Sequence, residues 1–160
     1  MWVIRAGQNA IYYEKFIMSS KVFLPWDGYK IDLSNLSSRN DFRQTVVREK
    51  KIDNRTSISN WAGQLYSFSK EIEVGDYVLI PSKASNTFSL ARINGDYEYD
   101  ENSNDGLYHS RDIVVLVREI PKRVFPQDIV YSLGAYRTIF RAKQEDRILA
   151  IIEEWKRSNT

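Results

Sequence analysis

A chain of 160 residues with a formal net charge of +2 is long enough for one domain with its own core, since domains usually span about 100–200 residues. The absence of cysteine excludes disulfide bonds and thiolate metal sites and is typical of a protein of the reducing cytoplasm. No apolar stretch approaches the ~18 residues of a membrane span, and the first ten residues lack the pattern of a signal peptide.

Short strand and helix patterns alternate at the start of the chain. Residues 1–6 and 21–26 are rich in β-branched and aromatic residues, which predicts two strands. The second strand ends at the turn dipeptide Asp27-Gly28. The stretch between the strands, residues 10–18, predicts a short helix.

Two longer helices are predicted next. Ser37 or Ser38 caps the first, which continues to about Lys50. Its inward-facing residues are Phe42, Val46 and Val47. The second helix opens at Ser57 or Ser59, because apolar residues then recur at spacings of three and four. This stripe comprises Ile58, Trp61, Leu65, Phe68 and Ile72.

A run of strands follows the second of these helices. Residues 77–82 and 88–93 flank a short polar turn, which predicts a hairpin. Residues 96–99 predict a short strand, and residues 109–120 predict a long one. The long strand is apolar on both faces over residues 113–117, a pattern typical of a central strand.

The C-terminal part contains a predicted short helix at 127–133 and a segment, 136–142, whose type the pattern leaves open. A final helix at about 143–157 carries apolar residues at i, i+3, i+4 and i+7, namely Ile148, Ile151, Ile152 and Trp155. Five to seven short strands, with helices inserted early and added late, predict a single α+β domain over residues 1–160. We expect a strongly curved sheet or small barrel with helices packed around it.

The residues give no catalytic constellation. The single histidine, His109, opens a predicted strand and is more typical of a structural residue than of a metal ligand. Glu154 and Lys156 have the Glu-x-Lys spacing of some nucleases, but they fall on the final amphipathic helix instead of a strand. Glycine-rich phosphate loops and G-x-S-x-G motifs are absent. We therefore expect a binding module, not an enzyme, with no cofactor and no metal.

Seven short motifs occur in the order seen at the N-terminus of Mrr-type restriction endonucleases. They read MWVIRAG, LPWDG, ISNWAGQLYSF, VGDYVLIPS, ARINGDYEYD, HSRDIVVLV and SLGAYRTIFR, and together they cover nearly the whole chain. The layout also resembles the wider PUA-like group, including EVE and YTH domains. These share a first strand with Trp, an Asn-aromatic helix start and a Gly-Asp-x-Val strand.

The resemblance implies a PUA-like, EVE-like barrel and a particular function. Several domains of this group accept a flipped, modified base in an aromatic pocket. We therefore expect a reader of double-stranded DNA that carries a modified base such as 5-methylcytosine, in a restriction system that serves phage defence. A PD-(D/E)xK nuclease domain normally follows such a reader. Either the C-terminal helix leads to a nuclease outside this chain, or the reader acts alone.

A pocket for a flipped base needs flat walls and polar groups. Flipping costs a few kcal/mol, whereas a buried methyl group contributes only ~0.8 kcal/mol, so stacking and edge hydrogen bonds must supply most of the binding. Trp26 and Trp61 are the expected walls; the alternative for Trp26 is a lid over the end of the barrel, and the alternative for Trp61 is a place in the core. The other expected pocket residues are Asp27, Asn60, Gln64, Ala6, Gly7, Pro81 and Ser82.

Charge is unevenly distributed along the sequence. Basic residues cluster between positions 39 and 55, whereas residues 96–105 contain five acids and no base. A polyanion would therefore meet one face and avoid another, although a solvated helix face explains the same pattern. The expected phosphate contacts are Arg39, Arg43, Arg48, Lys50, Lys51 and Lys83. The alternative functions are an RNA-binding PUA-like domain, a sensor of a free nucleotide or other small planar ligand, and a protein-interaction domain.

Overall fold

The protein is described by a computed structural model over residues 1–26, 28–135 and 137–160. The strands are β1 (Trp2–Ile4), β2 (Lys21–Phe23), β3 (Tyr77–Ser82), β4 (Thr87–Ile93), β5 (Glu98–Tyr99), β6 (His109–Pro121) and β7 (Ile139–Arg141). The helices are α1 (Tyr13–Ser19), α2 (Arg39–Lys50), α3 (Arg55–Tyr66), α4 (Gln127–Leu133) and α5 (Glu145–Ser158). A π-helical turn, Ser67–Glu71, extends α3. None of the helices in the described ranges is long and apolar enough to cross a membrane.

Seven strands form one curled, half-barrel sheet with the order β2-β6-β4-β3-β1-β7, and β5 pairs with the start of β6. β1 lies parallel to β3, with Trp2 opposite Val78, and antiparallel to β7, with Trp2 opposite Arg141. The other neighbours are antiparallel. The α+β class and the curved sheet expected from the sequence are therefore confirmed.

Two hydrophobic cores lie on opposite faces of the sheet, because side chains alternate along each strand. Trp2 and Ile4 of β1 belong to the first core, which also contains buried residues of α1, α2 and α3. Val3, between them, belongs to the second core, together with residues of α4 and α5. The first core contains large, fully buried rings such as Phe16 and Phe42. It therefore holds α2 and α3 firmly against the sheet.

The two middle helices begin at side-chain caps. Ser38 caps α2 in a reciprocal capping box with Asp41, as the serine predicted. Asn54 caps α3 by accepting a hydrogen bond from the backbone N–H of Ser57 at 3.0 Å. The helix therefore begins a few residues before the expected Ser57 or Ser59. Asparagine and serine are equally good N-caps, so the sequence alone does not separate them.

Three apolar residues predicted inside lie at the surface. Val47 on α2 is 45% exposed, and on β6 Val114 and Leu116 are 47% and 43% exposed. β6 is a central strand, as predicted, because β2 and β4 flank it, but its second apolar face is open to solvent at Val114 and Leu116. Exposed apolar residues are common on folded proteins, so an apolar run does not by itself separate a covered face from an open one. The undecided segment 136–142 contains β7.

A buried arginine ties the end of α3 to the sheet. Arg111 on β6 is only 2% exposed. Its Nη1 donates to the carbonyls of Phe68 at 3.2 Å and Ile72 at 2.6 Å, and its Nε donates to the carbonyl of Gly95 at 3.0 Å. Burial lowers the pKa of the Arg111 guanidinium, which nevertheless stays charged at neutral pH. Arg111 thus satisfies carbonyls that the end of the helix leaves free.

Candidate functional site

A surface groove of about 1170 Å³ lies between α3, β1 and β7. Its lining includes five cations and a single acid, Glu71. The cations are Arg39, Arg55, Arg137, Arg141 and Lys143. Within residues 1–26, 28–135 and 137–160, none of these five cations takes part in an ion pair. We refer to this surface as the basic groove, and its charge favours an anionic ligand.

Two of the groove arginines stack on aromatic rings. The guanidinium of Arg39 lies 4.3 Å from the ring centroid of Tyr66, and that of Arg141 lies 4.3 Å from the ring of Trp2. The indole N–H of Trp2 in turn donates to the carboxylate of Asp76 at 3.1 Å. Stacking uses the flat face of a guanidinium and leaves the N–H groups at its edge for a phosphate.

Gln64 links the two walls of the groove. Its Oε1 accepts hydrogen bonds from the backbone N–H groups of Thr138 at 3.1 Å and Ile139 at 3.0 Å. The side chain is 7% exposed, and the bonds join α3 to the start of β7. They fix the distance between the cations of the two elements.

The N-terminus of α3 opens into the same groove. Arg55, Thr56 and Ser57 form its first turn and line the groove. The first backbone N–H groups of a helix, together with its dipole, favour an anion at this position. Further polar side chains along the groove are Ser59, Asn60, Ser67 and Ser132.

A second feature, which we call the aromatic box, consists of Trp26, Tyr29 and Trp61. The ring centroids of Trp26 and Trp61 lie 4.2 Å apart with an interplanar angle of 62°, and those of Trp26 and Tyr29 lie 6.1 Å apart at 73°. Trp61 follows the groove residue Asn60 in α3. Since successive helical residues point about 100° apart, the box and the groove lie on adjoining sides of α3.

Lys50 fills the aromatic box. Its ammonium lies 4.4 Å from the ring centroid of Trp61, 5.5 Å from that of Trp26 and 5.9 Å from that of Tyr29. Burial lowers the pKa of Lys50. The last residue of α2 thus contacts a ring that stands on α3.

The box opens to solvent on one side only. Trp26 and Tyr29 are 7% and 5% exposed, whereas Trp61 and Lys50 are half-buried. Trp26 belongs to the first core, whereas Trp61 is partly exposed and lies at the box opening. A ligand can therefore reach the box past Trp61 and Lys50, but not past Trp26.

A buried hydrogen-bond chain supports the wall formed by Tyr29. The backbone N–H of Leu33 donates to the hydroxyl of Tyr97 at 3.1 Å, and that hydroxyl lies 2.6 Å from Nδ1 of His109. Nε2 of His109 lies 2.6 Å from the carbonyl oxygen of Tyr29. A carbonyl only accepts, so Nε2 carries a proton. Burial lowers the pKa of His109 below its ordinary value, so the ring is neutral at pH 7 and Nδ1 accepts from the hydroxyl of Tyr97.

We expect the free energy of unfolding to fall as the pH is lowered from 7 toward 5. A histidine in the unfolded chain has a pKa of about 6.5. Below that pH the unfolded chain binds a proton that the folded protein does not bind, so the free energy of unfolding falls by up to about 1.4 kcal/mol per pH unit. The decrease ends at the pH where folded His109 itself becomes protonated. Urea unfolding at several pH values measures the free energy of unfolding.

His109→Gln is the matched variant for this experiment, because the chain contains no other histidine. Glutamine fills a similar place and does not titrate. The variant should lose the part of the pH dependence that lies near neutrality. An identical pH dependence in both proteins would assign the effect to the carboxylates instead.

The residues expected at the base pocket lie at different places in the structure. Asn60 and Gln64 line the basic groove, and Trp26 and Trp61 form the aromatic box. Asp27 lies outside the described residues. The other four, Ala6, Gly7, Pro81 and Ser82, are not part of the groove lining. Gly7 has a φ of 80°, and a Cβ there would approach the ring of Tyr12 to 2.7 Å, so its role is in packing.

The residues expected to contact phosphate also lie in different parts of the structure. Arg39 lines the basic groove, and Lys50 occupies the aromatic box. Arg48 pairs with Glu49 at 3.2 Å. The remaining expected contacts, Arg43, Lys51 and Lys83, are exposed and do not line the groove.

Sequence reasoning missed most of the groove and one wall of the box. The missed residues are Tyr29, Arg55, Arg137, Arg141 and Lys143. Three of the missed cations occupy odd-numbered positions around β7, so they share one side of an extended segment. This period-two pattern was visible in the sequence, but it has meaning only once the segment is known to be a strand.

The family comparison covers the whole aromatic box and the α3 wall of the groove. Residues 2–136 match a family model described as a domain of unknown function, DUF8426. Neither the curated proteins nor the solved structures yield a match. Arg137, Arg141 and Lys143 lie beyond the matched residues. Because the match spans most of the 160 residues, the chain belongs to the DUF8426 family.

Proposed function

We propose that this chain is a DNA-binding module that holds phosphates in the basic groove and reads a modified base at the aromatic box. The groove carries the proposal. Its five cations have no ion-pair partner within the described ranges, and the N-terminus of α3 adds oriented N–H groups beside them. Backbone contacts of this kind position a nucleic acid without reading its sequence.

The proximity of the box to the groove supports the reading of a base. Asn60 lines the groove and Trp61 forms the box, so a strand whose phosphates follow the groove passes close to the box. Stacking of one base on an aromatic ring contributes about 1–3 kcal/mol, which offsets much of the cost of flipping. Lys50 occupies the box in the free protein and leaves it when a base enters.

In this proposal the chain binds and does not cut. Glu154, half of the Glu-x-Lys pair, accepts a hydrogen bond from Arg157 at 2.8 Å on the exposed side of α5. α5 packs on the second core, whereas α3, which lines the groove, packs on the first. A PD-(D/E)xK nuclease, fused or separate, would supply cleavage, as the resemblance to Mrr-type readers implies.

Binding of a duplex panel at several salt concentrations tests the proposal. The duplexes carry cytosine, 5-methylcytosine, 5-hydroxymethylcytosine, its glucosylated form, N6-methyladenine, N3-methylcytosine or N1-methyladenine at one position. If the five cations each contact a phosphate, log K should fall with log salt at a slope of about −4 to −5. One modified duplex should bind more tightly than the unmodified one.

The same measurement separates the alternatives. Absence of binding, or binding that ignores salt, contradicts the proposal, and tight salt-independent binding of free nucleotides would indicate a small-ligand sensor. An RNA of the same sequence that displaces every DNA duplex would indicate the RNA-binding alternative.

A further inference from the structure

The aromatic box has the shape and charge preference of a cation site. Its three rings are tilted against one another by 62° and 73°, so their faces converge on one point instead of forming a parallel slot. At that point lies the ammonium of Lys50. A flat ligand cannot enter between Trp26 and Trp61, because their centroids are only 4.2 Å apart.

Any ligand of the box must therefore replace Lys50 against the open face of Trp61. The displaced ammonium loses its contact with three ring faces, whose quadrupoles attract positive charge. A neutral ligand does not restore that attraction. A ligand with a positive charge restores it at the same place, so the rings favour a cationic ligand over a neutral one of the same size.

We propose that the aromatic box selects a base that carries a positive charge, namely a ring-alkylated base such as N3-methylcytosine or N1-methyladenine. This inference rests on the proposed function and names the class of base that the module reads. Both bases are flat and cationic at neutral pH, and both have lost part of their Watson–Crick pairing, which lowers the cost of extrusion. A methylated lysine in a peptide also fits an aromatic box, but the adjoining groove cations disfavour basic peptides.

A comparison of isomeric bases tests the inference. N3-methylcytosine and 5-methylcytosine have the same heavy atoms and differ by the position of the methyl group and by one proton, which gives the first its positive charge; the same holds for N1-methyladenine and N6-methyladenine. Each base is placed opposite an abasic site in one duplex sequence, so that pairing strength does not differ. We expect the cationic isomer to bind roughly 2- to 30-fold more tightly, the range that a cation–π contact supplies.

Two variants locate the preference in the box. Trp61→Leu should reduce the ratio between the isomers to about twofold or less, since the ring nearest the cation is lost. Lys50→Ala should tighten binding of both isomers and keep the ratio, because the internal competitor is removed while the rings remain. Urea unfolding checks that each variant is folded.

The outcomes separate this inference from the proposed function. Salt-dependent binding of all duplexes with equal affinity for the isomers, or with a preference for the neutral isomer, overturns the inference and leaves the DNA-binding proposal standing. A trimethyllysine peptide that binds more tightly than every duplex also overturns it. Loss of all salt-dependent binding contradicts the proposed function itself.

Discussion

Replacing Arg55 and Arg137 with glutamate is expected to weaken DNA binding about 100-fold or more, since each removes a charge-assisted contact worth about 1.5–3 kcal/mol. The two residues lie on opposite walls of the basic groove, one on α3 and one before β7. The loss should be similar for every sequence, because phosphate contacts carry no base information. The slope of log K against log salt should become shallower by about 2.

The matched control reverses two cations outside the groove. Lys83→Glu with Arg118→Glu changes the formal net charge from +2 to −2, as the groove pair does. Both residues are exposed, and neither lines the groove. This control should change affinity only slightly at physiological salt, because exposed charges are screened beyond about 8 Å. Equal losses in the two double variants would show that binding follows overall charge and not the groove.

Arg111→Met is expected to destabilise the fold by about 3–5 kcal/mol. Methionine retains much of the side-chain length but donates no hydrogen bond, so the carbonyls of Phe68, Ile72 and Gly95 lose their donor in the interior. An unsatisfied buried acceptor costs about 1–3 kcal/mol, and partial relaxation limits the sum. Urea unfolding at neutral pH measures the change.

Arg118→Met is the control on the same strand. Arg118 is exposed on β6, and such substitutions usually change stability by less than about 0.5 kcal/mol. A loss below about 1 kcal/mol for Arg111→Met would mean that water or neighbouring N–H groups satisfy the three carbonyls. Because Arg111 fixes the end of α3, the variant also tests how firmly the groove wall is held.

Local elements were predictable because their signals are local. The capping box of Ser38 and Asp41, the hairpin of β3 and β4, and the amphipathic pattern of α5 each depend on residues close in sequence. The boundaries and faces were less predictable. Asn54 competes with nearby serines as a cap, and the exposure of Val114 depends on which elements cover β6.

The basic groove could not be predicted, because it forms between elements far apart in sequence. Arg55 and Arg141 are 86 positions apart and share the groove only because Gln64 holds β7 against α3. Glutamine at position 64 was identified as polar and near Asn60, but the sequence does not show that its oxygen is already occupied by two backbone donors.

The aromatic box was predictable in part. Trp26 and Trp61 were paired as walls from their positions at a strand end and a helix start, and the structure brings them into contact. Lys50 was assigned to phosphate because it belongs to a basic stretch. Its side chain instead folds back onto the rings, since long lysine side chains gain from covering apolar surface.

The two ends of the strand order affect how the protein behaves at high concentration. Both outermost strands, β2 and β7, are only three residues long. Lys21 on one is tied to Asp112 and Glu98, and Arg141 on the other stacks on Trp2. Short edge strands with charged side chains offer few backbone groups for pairing with another molecule, so they protect the sheet from edge-to-edge aggregation.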